Sequence, residues 1–241
     1  MGTAKRNAIW LLTRRTFVVV LVVAFTVSCG GSAPEADKAS QQQGGTLLRF
    51  GKLEVFDPQA NTTAFSMLMP KAWQHEGGII WRPHLPNQAA AAMRVWNPNG
   101  NEVLELMPCD PFTWTRGGIA FHRPGSLYLG NEVCRPITDP ATYVLNFAIP
   151  RYRQEIQNPR VVQTTPLPKI ATTTAQARAE AGVRKAGYAA RVRVAYNLGG
   201  RSMEEDFYCV LLVATPMHMQ NMAFWGPDAL YSLRADAGKL N

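Results

Sequence analysis

The chain reads as an α+β domain, an antiparallel β-sheet with helices laid against it, carried behind an N-terminal export segment. Three observations predict this. Period-two alternation appears at Ala64–Met69, with Phe65, Met67 and Met69 on one face, and at Arg191–Tyr196, where Val192, Val194 and Tyr196 oppose Arg191 and Arg193. Phe207–Ala214 is apolar at both parities, the pattern of a central strand covered on both faces. Thr173–Gly187 sets Ala175, Ala179, Val183 and Ala186 on one helical stripe, with Gln176, Arg178, Glu180, Arg184 and Lys185 turned away.

The first 28 residues read as a signal peptide. Lys5, Arg6, Arg14 and Arg15 precede the apolar run Phe17–Val27, and no acidic residue comes before Glu35. Eleven residues at about 1.5 Å each reach roughly half of a ~30 Å hydrocarbon core, too short for a stable span. The run ends at Thr26-Val27-Ser28-Cys29-Gly30, which resembles a bacterial lipobox, with Thr26 in place of the usual Leu. That resemblance implies that Cys29 takes an acyl chain such as palmitate and becomes the mature N-terminus. Thr13-Arg14-Arg15-Thr16-Phe17 also resembles a twin-arginine export signal. The rival reading is that Arg14 and Arg15 only supply the positive charge any signal needs. An uncleaved signal anchor is the rival to lipidation, and either places the domain on the extracytoplasmic side of the membrane. Residues 29–45, small, polar and glycine-bounded, cannot bury enough apolar surface to fold and form a flexible tether.

Residues 46–241 are then one α+β domain. Thr46–Phe50, Leu53–Asp57, Ala64–Met69, Gly78–Trp81, Met93–Trp96 and Val103–Met107 are strand-like, and the turn at Asn97-Pro98-Asn99-Gly100 points to a meander. Pro108, Pro111 and Pro124 argue against regular elements in an insertion at about 108–137. Asp139-Pro140 signals a helix start, N-cap then first helical position, and Pro150 interrupts that helix. Val161–Leu167 reads as a strand. Gly199-Gly200 is a two-residue hairpin turn that places Arg193 opposite Asp206, Ala195 opposite Glu204 and Glu205 beside Val194. The last ten residues, Ser232–Asn241, show no capped element and are predicted to fray.

Phe65-Ser66-Met67-Leu68-Met69-Pro70-Lys71-Ala72-Trp73 resembles the strand, Pro and Trp opening of the Mog1/PsbP-like superfamily, with Ala72 where Gly is common. The Ala-rich helix and the Arg191–Ala214 hairpin stand where that fold has its last helix and strands. The resemblance covers about residues 46–225 and implies an α-β-α sandwich acting as a binding or assembly module, with no shared active site.

Chemistry is sparse. No G-x-S-x-G elbow occurs, and Gly45 to Gly51-Lys52-Leu53 lacks phosphate-loop spacing. His75, His84, His122 and His218 fall in no zinc spacing, though His75-Glu76 near His84 is the nearest approach to a ligand set; no metal or cofactor is expected. Cys109 and Cys134 are the pair available for a bridge in an oxidising compartment, which spacing alone does not assign, and Cys209 sits in an apolar run as a core residue. Asp206 suggests a cross-strand ion pair with Arg193 on the wet face, worth at most ~1 kcal/mol. Glu205 shares a face with Val194 and Phe207, so it lies near the rim or is held by a buried partner, the one position where a perturbed carboxyl marks a site. Arg178, Arg184, Lys185, Arg191, Arg193 and Arg201 form a basic cluster, read as a solvated face because acids interrupt it. Trp73, Trp81, Trp96 and Trp114, with Phe112, offer an aromatic platform for a glycan or peptide, against the reading that they are core.

Of 25 basic residues, the four in the signal leave 21 against 17 acidic, a net of +4, too mild for a nucleic-acid partner. The expected function is a membrane-anchored envelope lipoprotein acting as a non-enzymatic binding or assembly module, with an unidentified protein or glycan partner. The rivals are a hydrolase using Glu205, Asp110 or His122, which needs two of them in one pocket, and a glycan-binding module, which needs two coplanar exposed tryptophans.

Overall fold

The computed structural model describes residues 48–117 and 123–240. Cys29, Arg14, Arg15, the tether and His122 lie outside the described residues. The chain divides into two compact units, Met1–Lys71 and Ala72–Asn241.

In the first unit, β1 (Phe50–Asp57) pairs antiparallel with β2 (Thr62–Pro70), Phe50 opposite Pro70 and Val55 opposite Phe65. Asn61 closes the turn with φ 49°, a left-handed conformation that Asn tolerates, and the Asp57 carboxylate accepts the Gln59 N–H at 3.0 Å.

The second unit is one ten-stranded sheet. Its path runs β3 (Gln74–Trp81), β4 (Ala89–Trp96), β5 (Val103–Leu106), β12 (Met222–Asp236), β11 (Arg201–Pro216), β10 (Val183–Leu198) and β9 (Gln157–Pro166). Three short strands, β6 (Phe112–Thr115), β7 (Leu127–Tyr128) and β8 (Asn131–Val133), join through β6, which pairs with the first part of β12. The segment expected to be irregular therefore contains strands, spaced between its prolines.

The α+β sandwich is not what forms. Of the described residues 55% are in strands and 12% in helices, and the sheet curls into a half-barrel. The fold implied by the Mog1/PsbP resemblance falls with it. The error has a physical origin at 173–187. The helix is α3 (Pro168–Ala177), and Gly182 turns the chain at φ 76°. From Val183 the same residues enter a sixteen-residue strand whose ladder with β11 begins at Val183–Pro216. Ala186 and Ala190 satisfy a helical stripe and a strand alternation equally well, and tertiary pairing decides. Helix α3 buries no residue of its own, so it makes no helical layer.

The core lies on the sheet face carrying Val192 and Val194 of β10 and Phe207, Cys209 and Leu211 of β11. A second helical segment packs there, made of α1 (Pro140–Tyr143), a π-helical stretch (Val144–Ala148) and α2 (Ile149–Tyr152). Asp139 caps it, accepting from the N–H groups of Ala141 and Thr142. The π stretch falls just before Pro150, whose ring has no N–H to give the previous turn. Phe112 stacks on Trp225 at 4.5 Å, with the Tyr143 and Phe147 rings edge-on to both.

The carboxyl terminus does not fray through residue 236, because Ser232 to Asp236 belong to β12 and pair with β11. Its alternation is concealed in the sequence: Ser232 and Arg234 turn inward toward charged groups, not toward an apolar core.

Candidate functional site

A buried polar cluster sits on the core-facing side of the sheet, beside the apolar region. The hairpin register creates it. With Gly199 and Gly200 in the turn, Val194 stands opposite Glu205, Arg193 opposite Asp206 and Ala195 opposite Glu204, as the turn position predicts. Glu205 is therefore inward-facing and 0% exposed. An isolated carboxylate there would cost many kcal/mol.

Arg153, 4% exposed, is the partner. Its Nε donates to Glu205 Oε1 at 3.0 Å and its Nη2 to the same oxygen at 2.9 Å. Nη2 also meets Ser232 Oγ at 3.1 Å and Glu105 Oε2 at 3.0 Å, and Nη1 donates to the Tyr152 carbonyl at 2.8 Å. Tyr196 donates its hydroxyl to Glu205 Oε2 at 2.7 Å. Desolvation pulls the Arg153 guanidinium down, but Glu205 and Glu105 outweigh it and its pKa is raised. Burial, then Glu205, raises the Tyr196 hydroxyl, so it stays a neutral donor.

A second network lies one residue away. Asp110 accepts from Arg82, from Arg151 Nη1 at 3.1 Å and shares the Tyr152 hydroxyl, at 3.1 Å, with the Pro108 carbonyl at 2.7 Å. Arg151 also pairs with Glu132 and lies 5.3 Å over the Phe112 ring. Successive residues Arg151, Tyr152 and Arg153 at the end of α2 thus fasten both networks.

A cavity of about 520 Å³ opens beside Arg153. Met93, Leu106, Met107, Pro108 and Leu198 give it apolar walls, and among the described residues Tyr152 is the one aromatic lining it. One cross-strand row explains its polar side: Glu76 on β3 stands opposite Arg94 on β4, Arg94 opposite Glu105 on β5, Glu105 opposite Ser232 on β12, and Ser232 opposite Phe207 on β11. Along this row the face changes from apolar at the sheet centre to charged at the β3 edge. Arg94 lies 3.8 Å from Glu76, and Arg234 lies 3.8 Å from Glu155; the buried Arg234 Nε has no hydrogen-bond acceptor among the described residues.

The other predicted residues do not gather here. Trp81 and Trp96 stand at opposite ends of the β3–β4 hairpin, Trp81 opposite Ala89 and Gln74 opposite Trp96. Seven strand positions, about 23 Å, separate them. Trp73 precedes β3, Trp114 is on β6 opposite Ala223, and all four tryptophans are half-buried, while Phe112 is core. No exposed coplanar pair results. Asp206 is not on a wet face; it is 3% exposed and holds Arg193 through two hydrogen bonds, 2.7 and 2.9 Å. Among the described residues no group of three or more His, Cys, Asp and Glu is arranged to hold a metal ion, and Cys109, Cys134 and Cys209 are free thiols. Burial, first, with Asp228 and Asp110 nearby, pushes the Cys109 thiol up to about 12.

Arg153 is the functional residue that sequence reasoning missed. The demand for a buried cation was legible at Glu205, but its supplier is 52 residues away in a helix end. Tyr196 was within reach, being on the same inward face as Val194. Comparison of the chain with protein-family models, with curated proteins and with solved structures gives no match.

Proposed function

We propose that this protein is an exported lipoprotein, tethered through Cys29 on the extracytoplasmic side of the membrane, that binds a ligand in the cavity beside Arg153 without transforming it. The observation that carries the binding reading is the state of the two described carboxylates a hydrolase was expected to use. Glu205 is enclosed and accepts from Arg153 and Tyr196; Asp110 accepts from Arg82, Arg151 and Tyr152 in a separate network. Neither side chain is left to act as acid, base or nucleophile toward a molecule in the cavity, whereas a hydrolase needs two such groups converging on its substrate in one pocket. Cavity volume supports ligand occupancy, since small-molecule sites span roughly 300–1,000 Å³ with apolar walls and a few convergent polar groups.

The placement rests on residues 1–45: a basic start, an eleven-residue apolar run, Ser28-Cys29 and a polar tether. Among the described residues no helix is long and apolar enough to cross a membrane. Growing cells with radioactive palmitate tests the anchor. Wild type is expected to take up label and sediment with membranes, and Cys29→Ser to lose the label. Equal labelling of both proteins, or an unacylated wild type in the cytosol still starting at Met1, would sink the placement.

A further inference from the structure

Folding redistributes the basic residues. Five of the six in the cluster at 178–201 are occupied: Arg178 by Asp228, Lys185 by Glu180, Arg191 and Arg193 by Asp206, and Arg201 by Asn101. Arg184 is left, and the ladder carries it to one end of the sheet, opposite Thr215 near the close of β11. The turn that follows, Pro216 to Asn221, has three more arginines for neighbours. Asn221 accepts from the Arg116 N–H at 2.7 Å, where β6 ends. The Cys134 N–H bonds the Thr113 carbonyl at 2.9 Å, so Arg135 leaves β8 beside that same end of β6. A Gly125 N–H to Val133 carbonyl bond at 2.8 Å brings Arg123 close. Arg116, Arg123, Arg135 and Arg184 are all exposed, and among the described residues none has a carboxylate partner. The nearest acids are engaged elsewhere: Glu180 with Lys185, Glu132 with Arg151 and Asp139 at the helix start. From β10 through β11 and β12 to β6 is three strand spacings, so the Arg184 and Arg116 backbones stand about 15 Å apart.

Between these arginines the turn puts apolar side chains into water. Met217 is 62% exposed and Met219 40%. The loop that carries them is tied down, by the Met217 N–H to the Gly182 carbonyl at 2.8 Å and the Met222 N–H to the Met219 carbonyl at 2.9 Å.

We infer that this end of the sheet rests on an anionic lipid surface, its four guanidiniums on headgroup phosphates and Met217 and Met219 between them at the acyl boundary. This goes beyond the cavity reading and takes from the placement reading only the presence of a membrane. Cations over headgroups with apolar side chains beneath them hold peripheral proteins, because electrostatic attraction adds to buried apolar area. A water-borne polyanion would meet the arginines alone, and neither methionine offers its bases a ring to stack on.

The test uses full-length protein labelled with carbon-13 at the methionine methyl groups, mixed with bicelles whose headgroups carry a nitroxide. One set contains phosphatidylglycerol, the other phosphatidylcholine alone. Broadening of Met217 and Met219 is expected to be about fivefold greater or more with phosphatidylglycerol and to fall as salt rises. Met107, buried in the core, is expected to stay sharp in both. Each arginine near such a surface contributes about fivefold in partitioning, so Arg116→Gln with Arg184→Gln is expected to bring the broadening down to the phosphatidylcholine level. Sharp Met217 and Met219 signals with phosphatidylglycerol would overturn the proposal, even with the protein held to the bicelle by its N-terminal segment. Palmitate labelling reports the anchor alone, so the two failures are read separately. Equal broadening in both lipids, or in the double variant, would overturn the role of charge. Movement of both methionines with polyuridylate and none with phosphatidylglycerol would give the surface to nucleic acid instead.

Discussion

At the scale of single residues, the Arg153–Glu205 pair governs what the polar side of the core tolerates. Coulomb attraction between two buried charges roughly offsets the cost of taking both from water, so the intact pair adds little net stability of its own. Removing one member is different, because it leaves the other buried and unpaired. Arg153→Met is expected to destabilise the second unit by about 3–5 kcal/mol, read from urea unfolding, while Arg153→Met with Glu205→Leu recovers most of that loss. Additive losses in the double variant would show that the two side chains do not depend on one another. Glu205 was legible from the sequence as an inward carboxylate because one turn, Gly199-Gly200, fixes every pair in its hairpin. The identity of its partner was not, since nothing local ties residue 153 to residue 205. The burial of Asp206 was likewise hidden, because a cross-strand partner indicates pairing and says nothing of what covers the pair.

At the scale of elements, the start of one helix was readable, at Asp139-Pro140, and the bounds of the other were not. Asp139 accepts from Thr142 Oγ1 at 2.6 Å, from Thr142 N–H at 3.0 Å and from Ala141 N–H at 3.3 Å. The Thr142 hydroxyl first, then the backbone donors, hold its carboxyl below 3.8 against the opposing effect of burial. A depressed carboxylate stabilises fully above its unfolded pKa, near 3.9, and loses that contribution as pH falls through the folded value. Asp139→Ala is therefore expected to cost about 1 kcal/mol at pH 6, with the gap to wild type closing as acid takes the solution below the ordinary carboxylate range and protonates the folded carboxyl. A gap that holds constant with pH would remove the charge from the explanation. Helix α3 rests on a close approach: a Cβ at Gly187 would stand 2.2 Å from the Ala171 carbonyl oxygen. Gly187→Ala forces α3 off β10 and is expected to cost about 1–3 kcal/mol. An unchanged urea midpoint would show that α3 shifts freely. Sequence periodicity placed this helix about five residues late because small residues fit a helix stripe and a strand face alike, and Gly182 is the breaker that separates the two.

At the scale of the whole second unit, the fold depends on its last strand in a way the sequence conceals. Strand β12 carries two neighbours along one edge, β6 against Met222–Trp225 and β5 against Tyr231–Arg234. Strands β3 and β4 reach the rest of the sheet through β5, so among the described residues the backbone pairing that joins this three-stranded group to the long strands is four paired positions with the Met107 N–H to Leu230 carbonyl bond at 2.9 Å, and Asn101 adds side-chain bonds to Asp236 and Arg201. The same eleven terminal residues supply Ser232 and Arg234 to the buried cluster. Deleting 231–241 therefore removes a ladder, an Arg153 partner and the Arg234 partner of Glu155 together, and also bares the edge of β11 from Met203 to Tyr208. Exposed edges of this length template association with other chains. The truncated protein is expected to lose its single cooperative unfolding transition and to aggregate, while amide exchange in the intact protein is slowest along β10, β11 and β12. A soluble truncated protein that unfolds in one step at the wild-type urea midpoint would mean that β3, β4 and β5 are held by something other than β12, and that the charged row from Glu76 to Ser232 is not needed to close the cavity.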